Sequence, residues 1–135
     1  MAKITKINHV AIAVSNLDSA LSFWRDILGL QIAHIEEVPS QNSTVAFMPV
    51  GDSEVELVNP TSDDTGLARF LHDKGPGMHH LCFEVDHLEE MLAGLKAKGV
   101  KLINETPQVL PGRKMVFIHP KAASGVLIEL YELTE

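Results

Sequence analysis

Two segments of this chain, residues 7–32 and 78–103, carry the same succession of sequence signals. Each begins with a histidine inside an alternating apolar run, which is typical of a β-strand. In each, leucines at helical spacing follow, and a glycine suited to a left-handed helix end, Gly29 or Gly99, closes the pattern. The duplication predicts two structurally equivalent halves.

Capping boxes predict where the two helices begin. The first pairs Ser15 with Asp18, and the second pairs Asp86 with Glu89. A further short helix is expected over 66–74 between the halves, stopped by the glycines that follow it. We expect a single domain over residues 1–135, with repeats at about 4–60 and 77–132 and a helical linker over 61–76.

The repeat continues beyond the helices. The strand pattern VELV at 55–58 has its counterpart in IELY at 128–131, and further strand patterns precede them at 44–50 and 113–119. Turns at Val50-Gly51-Asp52 and at Ser124-Gly125 separate the members of each hairpin. Each half therefore reads strand–helix–strand–strand–strand, which predicts an α+β fold.

Composition excludes several classes of function. The chain has 135 residues, 45% of them hydrophobic, and a net charge of −7, so a broad electrostatic footprint for nucleic acid is not expected. The single cysteine, Cys82, excludes an intrachain disulfide framework and fits a reducing compartment. No apolar stretch reaches transmembrane length and the start lacks the apolar core of a secretory signal, so we expect a cytoplasmic protein with no membrane partner.

Strand register selects two of the seven histidines. Successive side chains of a strand alternate between faces, so His9 lies opposite the helix-packing face of its strand, and His80 holds the equivalent position in the second half. The neighbouring His79 corresponds to Asn8. The same comparison pairs Glu56 with Glu129, each a carboxylate within an otherwise apolar strand.

These two imidazoles and two carboxylates form a candidate metal site. Taken singly, a strand histidine is more often a satisfied core residue, and a strand glutamate is often solvent-facing. The symmetric occurrence of all four favours coordination, because ionised carboxylates are seldom buried without a partner. A mixed nitrogen and oxygen set suits a divalent first-row ion such as zinc, cobalt, nickel or manganese.

The chain resembles the vicinal oxygen chelate superfamily, which includes glyoxalases, ring-cleaving dioxygenases, fosfomycin-resistance proteins and methylmalonyl-CoA epimerases. The resemblance covers about residues 4–132 and is strongest to the epimerases. It is carried by NHVAIAV (8–14), VELVNPTS (55–62), FLHDKGPGMHHLCFEV (70–85) and FIHPKAASGVLIEL (117–130).

The resemblance implies a fold, a metal site and a partner. Two βαβββ modules in tandem would form a cupped, mixed eight-stranded sheet. The metal ligands would be His9, Glu56, His80 and Glu129, although some members have Gln at the position of Glu56. The substrate would be an acyl-CoA thioester, and the protein would be a homodimer.

The resemblance also implies a reaction, the epimerisation of methylmalonyl-CoA at C2. A proton would be removed and returned through an enediolate that the metal stabilises, which requires two acid/base groups or a base and water. Glu129 resembles one base of the family. Some members carry the second as a glutamate at the position of Val45, so we take Glu54, which shares a face with Glu56, as its replacement ahead of Glu84.

Other functions on the same fold stay open. A glyoxalase I-type lactoylglutathione lyase uses a similar ligand set, although its last hairpin differs from FIHPKAASGVLIEL. A ring-cleaving dioxygenase would use three ligands, usually in a longer chain, and a metal-dependent resistance protein would bind a small ligand without turnover. The remaining histidines at 34, 72 and 87 are expected to be solvated at turns or helix ends, and His119 to close a turn.

Overall fold

The computed structural model describes residues 2–134, which contain eight strands and three α-helices. The succession β-α-β-β-β occurs twice, with one helix between its two copies. The bounds are β1 Ile4–Ala13, α1 Leu17–Trp24, β2 His34–Val38, β3 Ser43–Val50, β4 Ser53–Pro60, α2 Gly66–Lys74, β5 Gly77–Val85, α3 Leu88–Ala97, β6 Gln108–Leu110, β7 Arg113–Ile118 and β8 Ile128–Leu133.

Contacts divide the chain into two compact units. The first unit comprises residues 9–79, and the second unit comprises residues 2–8 with 80–134. Strands of the first unit lie in the order β2-β3-β4-β1, with β1 and β4 parallel and the other pairs antiparallel. The second unit repeats this arrangement as β6-β7-β8-β5, with β5 and β8 parallel.

Strand β1 is shared between the units. Its opening residues lie beside β5 in the second unit, where the Thr5 hydroxyl donates to the Glu84 carbonyl, and its later residues pair with β4 in the first unit. All eight strands belong to one mixed sheet, which confirms the predicted α+β class with two βαβββ modules.

In the first half of the structure, alternate residues of β1 pack on opposite faces of the sheet. Ile12 and Val14 pack against α1 in a cluster centred on Leu21 and Leu57, which are 2% and 0% exposed. Ala11 and Ala13, on the opposite face, are fully buried and pack with Val45, Val58 and residues of α2. The histidine at position 9 shares this second face, as the register predicts.

The second half is built in the same way. Phe83 and Val85 of β5 pack against α3, where Leu88 and Leu92 are buried with Val116 and Leu130. The opposite face of β5 carries His80 and Cys82, and Cys82 is fully buried. The interpretation of Cys82 as a core residue without a disulfide is confirmed.

The predicted helix starts are wrong in both halves. Helix α1 is capped by Asn16, whose side chain accepts from the Ser19 N–H at 2.9 Å, and not by Ser15. At α3 the residue before the helix is His87, which makes no side-chain cap. The Asp86 carboxylate instead accepts from the Lys3 N–H at 2.7 Å.

The predicted helix ends and hairpin turns agree with the structure, except at α1. Gly99 follows α3 with a φ of +72°, as expected, and α2 occupies the predicted range. Gly29 also has a positive φ, of +88°, but α1 already ends at Trp24 and irregular turns separate the two. The hairpin turns at 50–52 and 124–125 lie between strands as predicted.

Candidate functional site

The first unit places His9 and Glu56 in contact. The imidazole is 5% exposed, and its Nδ1 lies 3.2 Å from Glu56 Oε2. Parallel pairing sets Glu54 opposite His9 and Glu56 opposite Ala11, so the three polar side chains project from one face of the sheet. We call this the ligand face of the first unit.

The second unit repeats the contact with His80 and Glu129. Nε2 of His80 lies 3.1 Å from Glu129 Oε1, and the side chains are 12% and 7% exposed. The register sets Glu129 opposite Cys82, two residues along β5 from His80. The neighbouring His79 lies in the first unit and packs edge-on against the Phe70 ring with centroids 5.1 Å apart.

The donor atoms of each pair fit a transition-metal site. Two donors about 2.1 Å from one ion, and at a right angle to each other, lie about 3 Å apart, which matches both pairs. Burial adds a second argument, since a carboxylate held in an apolar sheet needs a compensating positive charge. Each unit therefore presents one imidazole and one carboxylate that are suited to a divalent cation.

A phenylalanine faces the carboxylate in each unit. Phe47 on β3 is the register partner of Glu56, and Phe117 on β7 is the register partner of Glu129. The Phe117 ring meets His80 edge-on with centroids 5.9 Å apart, which restricts the orientation of that imidazole. Phe47 instead stacks on His34, with centroids 4.3 Å apart.

The residues considered as a second base differ in their surroundings. Glu54 is half-buried on the ligand face beside His9. Glu84 accepts from Asn8 Nδ2 at 3.2 Å in the second unit. Val45 is 3% exposed and packs among apolar residues that include Leu67 of α2.

The other histidines differ in their surroundings. His72 and His87 are exposed, as expected. His34 does not lie at a turn: it begins β2 and projects from the ligand face, where it pairs with Phe47. Sequence patterns missed it because β2 has no clear alternation of apolar residues, all but its last residue being exposed.

His119 closes a turn, as predicted. Its Nδ1 accepts from the Lys121 N–H at 3.0 Å and so caps the 3₁₀ turn Pro120–Ala122. Desolvation lowers the pKa of the His119 imidazole, and the positive charges of Lys101 and Lys121 lower it further. A neutral ring is what the cap requires, since only an unprotonated Nδ1 accepts a hydrogen bond.

Lys114 forms ion pairs with residues of helix α3 and strand β8. Its ammonium lies 2.6 Å from Glu89 and 3.7 Å from Glu132, and the first of these contacts raises the pKa of Lys114 while it lowers that of Glu89. The charge of this lysine is therefore balanced within the fold. Among residues 2–134, no helix is long and apolar enough to cross a membrane.

Comparison with known proteins identifies the family. The model of the glyoxalase/bleomycin resistance protein/dioxygenase superfamily matches residues 8–117, and the chain belongs to this family. The human mitochondrial methylmalonyl-CoA epimerase is 38% identical over 127 residues, covering 93% of this chain and 72% of that protein.

Solved structures that resemble this chain include methylmalonyl-CoA epimerases. The methylmalonyl-CoA epimerase of Mycobacterium tuberculosis is 36% identical with a TM-score of 0.88, covering 98% of this chain and 90% of that one. A methylmalonyl-CoA epimerase in complex with methylmalonyl-CoA and NH4+ is 29% identical with a TM-score of 0.87, covering 98% and 96%. A probable lactoylglutathione lyase of Synechocystis is more distant, at 27% identity over 92% of each chain.

Proposed function

We propose that this chain is a methylmalonyl-CoA epimerase, which inverts the configuration at C2 of methylmalonyl-CoA. The observation that carries the proposal is similarity to epimerases at 33–38% identity over 93–96% of this chain, whose two units each hold a largely buried His–Glu pair. The acyl-CoA thioester is the substrate class, since a related epimerase structure contains methylmalonyl-CoA itself.

The four paired side chains are proposed to hold one divalent ion. The support is the equivalence of His9 with His80 and of Glu56 with Glu129, together with donor separations that suit adjacent ligands. When bound, the ion supplies positive charge that stabilises the oxyanion formed as the C2 proton leaves. Zinc, cobalt, nickel and manganese all accept this mixed set of ligands.

Proton transfer is the work of the protein's own side chains. The C2 proton lies between a thioester and a carboxylate, so its removal places negative charge on the thioester oxygen. We propose Glu129 as one acid/base group, because its carboxylate is held by His80 at 3.1 Å and shielded from water. Inversion needs a second group on the other side of C2, for which Glu54 is the candidate predicted from the sequence.

Two further properties belong to the proposal. The single cysteine, Cys82, is buried and forms no disulfide, which suits a reducing compartment, for which we propose the cytoplasm. We also propose a homodimer, since the sheet ends in the short edge strands β2 and β6, and exposed edges favour pairing.

Deuterium exchange tests the proposed reaction. Purified protein loaded with cobalt or manganese is incubated in deuterated water with one C2 epimer of methylmalonyl-CoA, and the C2 signal is followed by NMR. We expect loss of the C2 proton together with appearance of the other epimer. No exchange at C2, alongside turnover of methylglyoxal with glutathione, would instead identify a glyoxalase I-type lyase. Binding of methylmalonyl-CoA, or of the hemithioacetal of methylglyoxal and glutathione, without exchange or turnover would indicate a binding or resistance protein.

A further inference from the structure

The side chain of Asn104 bridges a gap in strand pairing at the edge of β7, in the second unit. Strand β6 pairs with β7 only as far as Met115, and backbone contact resumes at the bridge between Leu102 and Ile118. Within this gap, Asn104 Oδ1 accepts from the Phe117 N–H at 2.8 Å, and Nδ2 donates to the Met115 carbonyl at 3.5 Å. One side-chain amide therefore holds the backbone of β7 where the pairing with β6 has ended.

The same backbone contact precedes this position in both units. The Ile103 N–H donates to the Phe117 carbonyl at 2.8 Å. In the first unit, the Ala33 N–H donates to the Phe47 carbonyl at 2.8 Å. Regular pairing of β2 with β3 begins at the next residue of the first unit, whereas the next residue of the second unit is Asn104. The equivalent phenylalanine is therefore held by strand pairing in the first unit and by a side-chain amide in the second.

Phe117 connects this amide to the proposed metal ligands. Its register partner on β8 is Glu129, and its ring meets the His80 ring edge-on, with centroids 5.9 Å apart and planes inclined by 87°. Nε2 of His80 in turn lies 3.1 Å from Glu129 Oε1. The equivalent Phe47 stacks on His34, so the two halves use this ring differently.

The contact with Phe117 restricts an imidazole that has to bind in one orientation. A histidine that binds a metal must present one nitrogen in a fixed direction. The His80 side chain is 12% exposed, and the edge-on ring of Phe117 opposes rotation of the imidazole about its Cβ–Cγ bond. This restriction holds only while Phe117 stays in place, which the Asn104 amide ensures through the Phe117 N–H. Freedom that the ring loses on folding is not lost again on binding, so the fixed orientation raises metal affinity.

We propose that Asn104, through Phe117, is a positioning residue that fixes the His80 imidazole for metal binding. This proposal rests on the proposed function, in which His80 is one of the four ligands. Asn104 and Phe117 supply no donor to the ion; they set the direction of the His80 ring before the ion binds. The two halves are then unequal, since the second unit orients its ligand histidine with a ring that the first unit stacks on His34.

Calorimetric titration with Co²⁺ tests this role on the full chain. In Asn104→Ala the Phe117 N–H loses its acceptor, and in Phe117→Leu the imidazole loses the ring beside it. We expect the Kd for Co²⁺ to rise roughly 10–100-fold in each variant, with a change in the visible absorption of the bound ion, which reports its coordination geometry. Asn104→Asp keeps an oxygen for the Phe117 N–H and should bind Co²⁺ with the wild-type affinity.

NMR of the metal-free protein separates positioning from a general loss of stability. In the wild type we expect nuclear Overhauser effects between the Phe117 and His80 rings, and in Asn104→Ala these effects should weaken as the imidazole gains freedom. Phe83→Leu is the matched control, because it truncates a phenylalanine of the same unit that packs against α3 on the opposite face of the sheet. It should lower the Tm and leave both the His80 signals and the Kd for Co²⁺ unchanged.

A double variant tests whether Asn104 acts through Phe117. Asn104→Ala should cause no further loss of Co²⁺ affinity in a Phe117→Leu background, a non-additivity expected of residues that act in series. Wild-type affinity in both single variants, an equal loss in Phe83→Leu, or losses that simply add in the double variant would overturn the proposal. Co²⁺ binding that depends on both residues, in a protein that does not exchange the C2 proton of methylmalonyl-CoA, would support the positioning role and refute the proposed reaction alone.

Discussion

His9 and His80 differ from the other histidines in what their strand faces contact. Both lie on the face away from the packed helices α1 and α3, and both touch a glutamate from a parallel neighbouring strand. Sequence alternation predicts this because the period of a strand is fixed by the backbone. It does not predict His34, whose position on the ligand face depends on pairing with β3, a long-range contact that local pattern does not contain.

His119 makes stability depend on pH in a defined direction. Its pKa in the folded protein lies below the ordinary value of 6.5, so the unfolded chain binds a proton first as pH falls. The stabilising contribution is complete above pH 6.5 and declines as pH drops below that value. The Tm of the wild type should therefore fall on going from pH 7.5 to pH 5.

Substitution of His119 separates its pH effect on stability from that of other groups. His119→Asn keeps a side-chain oxygen that accepts from the Lys121 N–H but does not titrate, so its Tm should fall less over the same range. His72→Asn removes an exposed histidine and should keep the wild-type slope. Equal slopes for His119→Asn and the wild type would show that the cap does not sense pH.

Helix starts show where sequence patterns lose accuracy. Ser15 and Asn16 are both good capping residues, and the extended backbone continues to Asn16, with φ −148° and ψ 117°, so the cap falls one residue later than the box predicts. At α3 the Asp86 carboxylate, which is expected to cap the helix, accepts from the Lys3 N–H instead. The Leu88 N–H donates to Glu132 of β8 at 2.7 Å. Both partners are distant in sequence, which is why the box fails there.

The cap of α1 gives a matched pair of variants. Asn16→Ala should lower the free energy of unfolding by about 1 kcal/mol, because the Ser19 N–H loses its acceptor. Ser15→Ala, at the neighbouring exposed position, should change it by less than about 0.5 kcal/mol. Urea denaturation measures both, and a larger loss in Ser15→Ala would restore the predicted capping box.

At the scale of the molecule, the duplicated β-α-β-β-β architecture is the feature that the sequence predicts best. Equivalent strands and the two His–Glu pairs follow from matching one half against the other, and the range of α2 follows from the glycines that stop it. The bounds of β2 and β6 do not follow, because β6 has three residues and β2 is almost wholly exposed, so neither shows an alternating pattern. Packing against a neighbouring strand defines them instead.

We propose that each half contributes one histidine and one glutamate to a single metal site in an epimerase. Calorimetric titration with Co²⁺ tests it most directly, on the wild type and on one variant from each half, His9→Ala and His80→Ala. His79→Gln is the control, since register excludes that neighbour of His80. We predict one ion per chain for the wild type and the control, and at least a 100-fold loss of affinity in each of the other two variants. Two ions per chain, or binding that survives His80→Ala but not His79→Gln, would contradict a single site that uses His80.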